Sequence, residues 1–283
     1  MTTKTRSKLA ELFYLWDKHY KLFLLIPLIV ASISIGLILT HKIRLGKDFK
    51  GGTSYIIISN LSYGQITKIF SKYQGVEVKY LGGHRYMIVT PYGFKYDMAK
   101  IGKVESKIEI SRQLGKSFER SAEEMIIIGF ILLVVSVFIS FRTFVPASLM
   151  ILSIIFDTLF AFALMVAKGI PLSIATISIL LMLIGYSIDT DILMTSRVLK
   201  RRDLKLSDRF YHSMKTGLTM QLTALTVMAI IYILTTLFFP LLTIIKDISY
   251  IIVCGVIADI IFTWCFNASM LRIWYERYEA QGK

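Results

Sequence analysis

Four aspartates lie within long apolar stretches of this sequence, and they are its most informative residues. Asp157 and Asp259 each lie near the middle of an apolar run, while Asp189 and Asp191 lie near the far end of the run from Pro171 to Arg197. A carboxyl group at the centre of a membrane helix costs roughly 3 kcal/mol on insertion scales, so such a residue faces a protein interior, a water path or a partner charge. We therefore expect these acids to be candidates for proton coupling.

Each acid also has a purely structural interpretation. A protonated carboxyl bonds well to a hydroxyl on a neighbouring helix, and Ser187 or Thr190 could serve Asp189 in this way. Asp157 and Asp259 could equally hold two helices together. Asp191 lies closer to the headgroup region and could be solvated there. The sequence leaves the functional and structural interpretations open.

Helical spacing predicts which polar residues share a face. Gly185 precedes Asp189 by four residues, so it would clear space on the same face. Asp191 lies two residues further on, roughly 200° around the helix, and cannot share a partner with Asp189. We predict that the helices of Asp157 and Asp189 meet a threonine-rich face in the bundle centre. That face contains Thr216, Thr219, Thr223 and Thr226, with Gln221 and Ser213 nearby.

No motif for nucleotide, metal or nucleophile chemistry accompanies these acids. A His-Glu-x-x-His zinc motif and a Gly-x-Ser-x-Gly elbow are both absent from the sequence. Gly115-Lys116-Ser117 resembles the end of a phosphate-binding loop, but Ile110 stands where that loop requires glycine. The two cysteines, Cys254 and Cys265, share one apolar run and are expected to be packing residues. We predict no enzymatic activity and no cofactor.

Composition and hydropathy place the acids in a multi-span membrane protein. Hydrophobic residues make up 55% of the 283 residues, which is above the range of an ordinary soluble domain. Apolar runs of the length that a bilayer requires predict six spans. They cover residues 22–40, 125–141, 144–167, 170–196, 216–239 and 248–271, the fifth ending before Pro240.

The distribution of charge predicts the orientation of these spans. With the N-terminus inside, the cytoplasmic segments 1–21, 142–143, 197–215 and 272–283 have a net charge of +10, and the short outside turns have +1. Basic residues concentrate on the cytoplasmic side of membrane proteins. Both termini are therefore expected in the cytoplasm of a protein of the cell membrane. The overall charge of +14 favours anionic lipid as its partner over nucleic acid, because much of it flanks the spans.

The one long polar segment, residues 41–124, predicts a small exterior domain. Strands are expected at 53–59, 76–81 and 85–90, the last two joined by Gly82-Gly83. Helices are expected at 61–74 and 96–113. The predicted fold is thus a membrane all-α six-helix bundle with one exterior α/β domain of ferredoxin-like βαββα type between helices 1 and 2.

Two motifs give this sequence a family resemblance. The run from Gly46 to Thr53 resembles the G-x-D-F-x-G-G-T signature of the SecF family of protein-export membrane proteins. The run from Ile184 to Asp189 is similar to the fourth-span signature of the same family, and its archaeal form fits best. The matching residues are Asp48, Phe49, Gly51, Gly52, Gly185, Tyr186 and Ser187.

The resemblance implies an auxiliary subunit of the Sec translocon. Members of this family pair with SecD, a related six-span protein, in a twelve-helix unit of the resistance-nodulation-division type. In bacterial members, that unit is thought to use the proton gradient to help draw secreted polypeptides outward. The exterior domain would contact the emerging polypeptide or support SecD.

The sequence departs from the bacterial pattern where that pattern has charge. Bacterial members have Asn-Asp-Thr where this chain has Asp189-Thr190-Asp191, and their fifth-span arginine aligns with Thr219. Their third-span histidine is Phe156 here. An arginine of SecD would then supply the partner charge. Two alternatives remain: a scaffold subunit whose acids only lock helices together, and a small-molecule proton-coupled transporter of the same superfamily.

Overall fold

The computed structural model describes residues 8–201, 203–239 and 241–280, which are mostly helical. Residues 1–7 of the predicted cytoplasmic leader, the predicted helix-ending Pro240 and the last three residues of the tail lie outside the described residues. The helices are α1 (Lys8–Phe23), α2 (Leu25–Thr40), α3 (Lys47–Lys50), α4 (Tyr63–Phe70), α5 (Arg112–Phe141), α6 (Phe144–Ala167), α7 (Ile174–Lys200), α8 (Leu206–Leu237), α9 (Thr243–Ile261) and α10 (Ala268–Ala280). The strands are β1 (Gly52–Ile58), β2 (Glu77–Gly82), β3 (Arg85–Thr90) and β4 (Lys103–Ile110).

Five helical segments are long and apolar enough to cross a membrane. They are α5, α6, α7, α8 and the segment Thr243–Glu279, which includes α9 and most of α10. The pair Phe13–Phe23 and Leu25–Thr40 meets the same criteria together, but it bends by 58° at its break. The described residues therefore contain five such helices, or six if the bent pair is one span.

Helix α1 lies in the segment that the sequence indicates only as a basic leader. The Trp16 side chain is buried, its ring centroid lies 5.3 Å from that of Phe210, and its Nε1 donates to Ser269 Oγ at 3.3 Å. Arg272 forms ion pairs with Asp17 of α1 and with Glu276 of its own helix. These contacts hold α1 against α8 and α10.

The long polar segment contains a four-stranded antiparallel sheet in the order β2-β3-β1-β4. The three predicted strands are present, and α4 lies in the first predicted helix. Ser62 and Gln65 form a capping box at the start of α4, a pairing that satisfies two N–H groups of the first turn. Ile57 of β1 and Ile66 of α4 are fully buried in one core cluster, so the helix covers one face of the sheet.

The prediction of a second helix in this domain, at residues 96–113, is wrong. A 3₁₀ turn (Met98–Lys100) and the edge strand β4 occupy this segment, so the predicted βαββα order fails in its last element. Charged residues of β4 alternate with uncharged ones, three of which are apolar, and this period of two suits a strand. Ser111 then caps α5 by accepting from Leu114 N at 3.2 Å. Helix α5 consequently begins well before the predicted second span.

Two glycines allow the membrane helices to pack closely. A Cβ at Gly217 of α8 would lie 2.4 Å from the Trp264 ring, and a Cβ at Gly255 of α9 would lie 2.4 Å from a methyl group of Leu183. Small residues of this kind let helix backbones approach one another in a membrane bundle. The close approaches bring α7, α8 and α9 together around the buried polar groups described below.

Candidate functional site

Asp157 of α6 is buried and pairs with α7. Its Oδ2 accepts a hydrogen bond of 2.5 Å from Ser187 Oγ, and Ser187 is buried as well. Ser187 was considered from the sequence as a partner of Asp189. The structure assigns it to Asp157 instead, so this family-motif serine links two central helices.

Asp191 and Asp259 are both buried and share one hydroxyl. Thr263 Oγ1 lies 3.0 Å from Asp191 Oδ1 and 2.9 Å from Asp259 Oδ1. A threonine hydroxyl carries a single proton, so it can donate to only one of these oxygens at a time. Asn267 Nδ2 donates to the same Asp191 oxygen at 2.8 Å. Rotation of the Thr263 hydroxyl can therefore move its hydrogen bond from one carboxyl group to the other.

Helix α8 joins the network through Gln221. Gln221 Nε2 donates to Asp259 Oδ2 at 2.7 Å, and Gln221 Oε1 accepts from Trp264 Nε1 at 2.7 Å. Thr190 of α7 makes a longer hydrogen bond of 3.4 Å to the same carboxyl oxygen. All four side chains are buried, so the network occupies the interior of the bundle.

A widened helical turn supplies three members of this network. Residues Phe262–Asn267 form a π-helical turn between α9 and α10, in which the backbone N–H of Ala268 bonds to Thr263 O. Thr263, Trp264 and Asn267 all belong to it. Single π-helical turns inside α-helices occur frequently at functional sites. Here the turn lies where the last membrane segment meets Asp191.

The buried acids have no cationic partner among the described residues. The ion pairs that the structure contains at 4.0 Å or less lie elsewhere. Unpaired buried charges cost several kcal/mol each, so such a group of carboxyls is compatible with shared protons and not with full ionisation. Asp157 Oδ1 and Asp191 Oδ2 have no hydrogen-bond partner within the described chain, and the same holds for Ser153 Oγ and Thr195 Oγ1. The network therefore retains hydrogen-bonding capacity.

Asp189 and the threonine face do not meet Asp157 in the bundle centre, so that prediction is wrong. Asp189, Thr219 and Thr223 are exposed on the outer surface of α7 and α8. The threonine hydroxyls bond back to carbonyl groups one turn earlier in their own helix. Thr219 lines a groove of about 950 Å³ between α7 and α8, together with Tyr186, Arg197, Lys215 and others. The polar stripe, defined here as Asp189, Thr219 and Thr223, faces away from the bundle.

The rotation of both helices explains this error. Gly185 is exposed and a Cβ there would have nothing within 4 Å, so it does not mark a packing face. The packing face of α8 instead contains Ser213, Gly217 and Gln221, which are spaced four residues apart. That spacing of small and polar residues is the signal from which Gln221 could have been identified as a central residue.

The first family motif lies at the junction between the four-stranded sheet and the membrane helices. Asp48 Oδ2 accepts a hydrogen bond from Ile174 N at the start of α7, and Phe49 is buried. Gly51 adopts a φ of +70°, and a Cβ at Gly52 would lie 2.6 Å from Thr90 O. These glycines are therefore required by backbone conformation and by a close backbone approach.

Comparison with known proteins agrees with this architecture. Residues 94–277 match the family model described as protein export membrane protein SecD/SecF, C-terminal. The chain belongs to the SecD/SecF family. This assignment agrees with the motif resemblance, and the matched residues include every member of the buried acid network.

Relatives within the family are similar over nearly their whole length. The chain is 35% identical to the protein-export membrane protein SecF of Methanocaldococcus jannaschii, covering 93% of this chain and 99% of the relative. It is 32% identical to that of Methanothermobacter thermautotrophicus, covering 91% and 93%.

The fold is similar to that of a translocon-associated membrane protein, SecDF of Thermus thermophilus. The TM-score is 0.71 at 18% identity, and the match covers 91% of this chain. SecDF in a super-membrane-facing form gives a TM-score of 0.62 at 20% identity. The chain spans about two fifths of each SecDF chain, 38% and 39% respectively.

Proposed function

We propose that this chain is an auxiliary subunit of the Sec protein-translocation machinery, which works with SecD to promote export of polypeptides across the cell membrane. Its similarity to SecF proteins over more than 90% of its length supports this function. Its match to about two fifths of the SecDF chain also supports this function. In our proposal, a separate partner protein corresponds to the remaining part of that chain.

The observation that carries the proposal is the outward-facing polar stripe. Asp189, Thr219 and Thr223 are exposed on segments that are long and apolar enough to cross a membrane. Ionisable residues in membrane spans face a protein interior or a water-filled cavity, not lipid. A second membrane protein that covers the stripe satisfies this requirement, and SecD is that protein in our proposal.

The buried acid network supports coupling of export to the proton gradient. Asp157, Asp191 and Asp259 are hydrogen-bonded to the hydroxyl groups of Ser187 and Thr263, which can pass protons or change the oxygen to which they donate. Two of their carboxyl oxygens have no partner among the described residues. In our proposal Asp189 and Thr219 act separately from this network, at the SecD contact.

The same network also favours the scaffold alternative. Each of the three buried acids accepts at least one hydrogen bond from another helix or turn of this chain, so the acids also hold α6 to α7 and α8 to α9. In that function, the charge of the carboxyl would be dispensable and only its shape and hydrogen bonds would matter. Substitution by asparagine separates the two functions.

The topology is part of the proposal. Six spans would place both termini in the cytoplasm and the ferredoxin-like sheet outside, where it can contact secreted polypeptide near the Sec channel. The bent pair α1–α2 would be the first span. The basic segment 197–215, of net charge +5, would face anionic lipid at the cytoplasmic surface.

Site-specific crosslinking to SecD tests the partner surface. In a chain whose Cys254 and Cys265 are replaced, Asp189→Cys should crosslink to SecD in native membranes. The matched control is Leu132→Cys on α5, which is 63% exposed but lies outside the stripe, and it should not crosslink. Crosslinking at Leu132 without crosslinking at Asp189 would exclude the stripe as the SecD contact.

A further inference from the structure

One short loop connects the exterior sheet to two membrane helices. It runs from Arg44 to β1 and includes the first family motif. Gly46 N donates to Leu172 O at 2.6 Å, and Leu172 N donates to Arg44 O at 2.7 Å. These two bonds form a parallel bridge between Leu45 and Leu172, so the loop pairs with the segment that enters α7.

Asp48 holds the first turn of α7 directly. Its Oδ2 accepts from the N–H of Ile174, the first residue of the helix, at 3.2 Å. Ser173, the residue before the helix, satisfies a different N–H, that of Thr176. A carboxylate at a helix N-terminus satisfies a free N–H and interacts favourably with the helix dipole. The capping acid of α7 is therefore supplied by a residue 126 positions earlier in the chain.

Phe49 fills the space between α5 and α7. It is 5% exposed and belongs to one core cluster with Ala122 of α5 and Ile177 of α7. Gly115 of α5 approaches the backbone of Phe49 so closely that a Cβ there would lie 2.5 Å from Phe49 O. A larger residue at position 115 would separate the loop from α5, which means that this contact is tight.

Very few residues connect the loop to the sheet. Only Phe49, Lys50 and Gly51 separate Asp48 from β1. On the other side, α7 continues without a break from Ile174 through Ser187 and Asp191, a distance of about 20 Å from its first turn to Ser187 at the usual helical rise.

We infer that Asp48 and Phe49 are positioning residues that join α7 to the exterior sheet as one rigid unit, so that a shift of the acid-bearing helix moves the exterior domain. This inference rests on the proposed function, since it explains how a change at the buried acids reaches the side where polypeptide emerges. The joint itself is a property of the chain and can be measured without export.

Hydrogen exchange on the purified SecD complex tests the joint. Asp48→Ala should increase exchange in the first turn of α7 by about 2- to 30-fold, the range that loss of a cap produces, and should slow export. Asp48→Asn keeps an acceptor oxygen and should restore both the slow exchange in α7 and the export rate. The matched control is Asp97→Ala, because Asp97 caps the 3₁₀ turn of the same domain without touching α7. Unchanged exchange in Asp48→Ala would overturn the inference.

A disulfide across the bridge provides a second test that loss of folding cannot imitate. In a chain without Cys254 and Cys265, Leu45→Cys with Leu172→Cys should form a disulfide, because bridge partners lie side by side. Oxidation should leave export intact in the otherwise native chain and restore it in Asp48→Ala. Loss of export on oxidation would mean that the loop must separate from α7, and failure to restore Asp48→Ala would mean that Asp48 acts elsewhere. Either result would overturn the inference. If the native chain does not stimulate export with SecD at all, the proposed function fails while the exchange result stands.

Discussion

Replacement of Asp191 by asparagine or leucine separates a proton-carrying acid from a structural one. Asp191 is fully buried and accepts from both Thr263 and Asn267 at Oδ1. Asparagine keeps that oxygen as an acceptor and replaces the second carboxyl oxygen with an amide group of similar size. We expect Asp191→Asn to lower the free energy of unfolding by about 1 kcal/mol or less. Leucine leaves the Asn267 amide without its acceptor, which costs about 1–3 kcal/mol.

The two variants should also differ in how export responds to the gradient. Moving one elementary charge through 100 mV is worth about 2.3 kcal/mol, which changes a two-state ratio by about 50-fold. If Asp191 carries that charge, Asp191→Asn removes the gradient-dependent part of export while the amount of complex stays normal. Asp191→Leu should reduce both the gradient-dependent part of export and the amount of complex.

The assay is export into membrane vesicles that contain SecD and either form of the chain, with the gradient present or collapsed. Asp203→Asn is the matched control, because Asp203 is exposed between α7 and α8 and should leave both rates unchanged. Gradient-dependent export that persists in Asp191→Asn would refute the proton role of Asp191 and favour the scaffold function.

Two further predictions concern helix packing. Gly217→Ala should lower the free energy of unfolding by about 1–3 kcal/mol, as overpacking does, because its Cβ would collide with Trp264. The control is Gly64→Ala in α4, where nothing lies within 4 Å, and it should be neutral or stabilising. Thermal unfolding of the purified complex measures both variants. Arg209→Met should destabilise the chain by about 3 kcal/mol or more, because the buried guanidinium donates to two backbone carbonyls and a tyrosine hydroxyl. Arg277→Met, at an exposed position, should change the stability little. An equal loss of stability in both variants would contradict this account.

Apolar runs and turn signals were sufficient to predict much of the fold. The start of α7 was expected near Pro171, and three of the four strands were expected from alternating residues around Gly82-Gly83. These features depend on local sequence. The local signal for strand β4 is weaker, because Ser106 interrupts its alternating apolar residues and pairing with β1 completes the strand.

The rotation of the membrane helices could not be predicted in the same way. A soluble helix shows its core by an apolar stripe, but a membrane helix is apolar toward lipid as well as toward its neighbours. The sequence favours Asp189 over Asp191 as the central residue, but in the structure Asp191 is the buried one, where it meets the π-helical turn that follows α9. Close packing at Gly217 and Gly255 fixes the rotation of these helices, whereas Gly185 has no packing neighbour within 4 Å.

The outward position of Asp189 has a consequence for the life of the protein in the cell. A newly inserted copy that has not met its partner presents this carboxyl to lipid, at a cost of roughly 3 kcal/mol on insertion scales. Such a copy is less stable in the bilayer than the assembled form, and cellular proteases remove less stable proteins more readily. The abundance of this chain would then follow the supply of its partner, and the stoichiometry of the complex would be maintained by degradation of unassembled copies without matched synthesis.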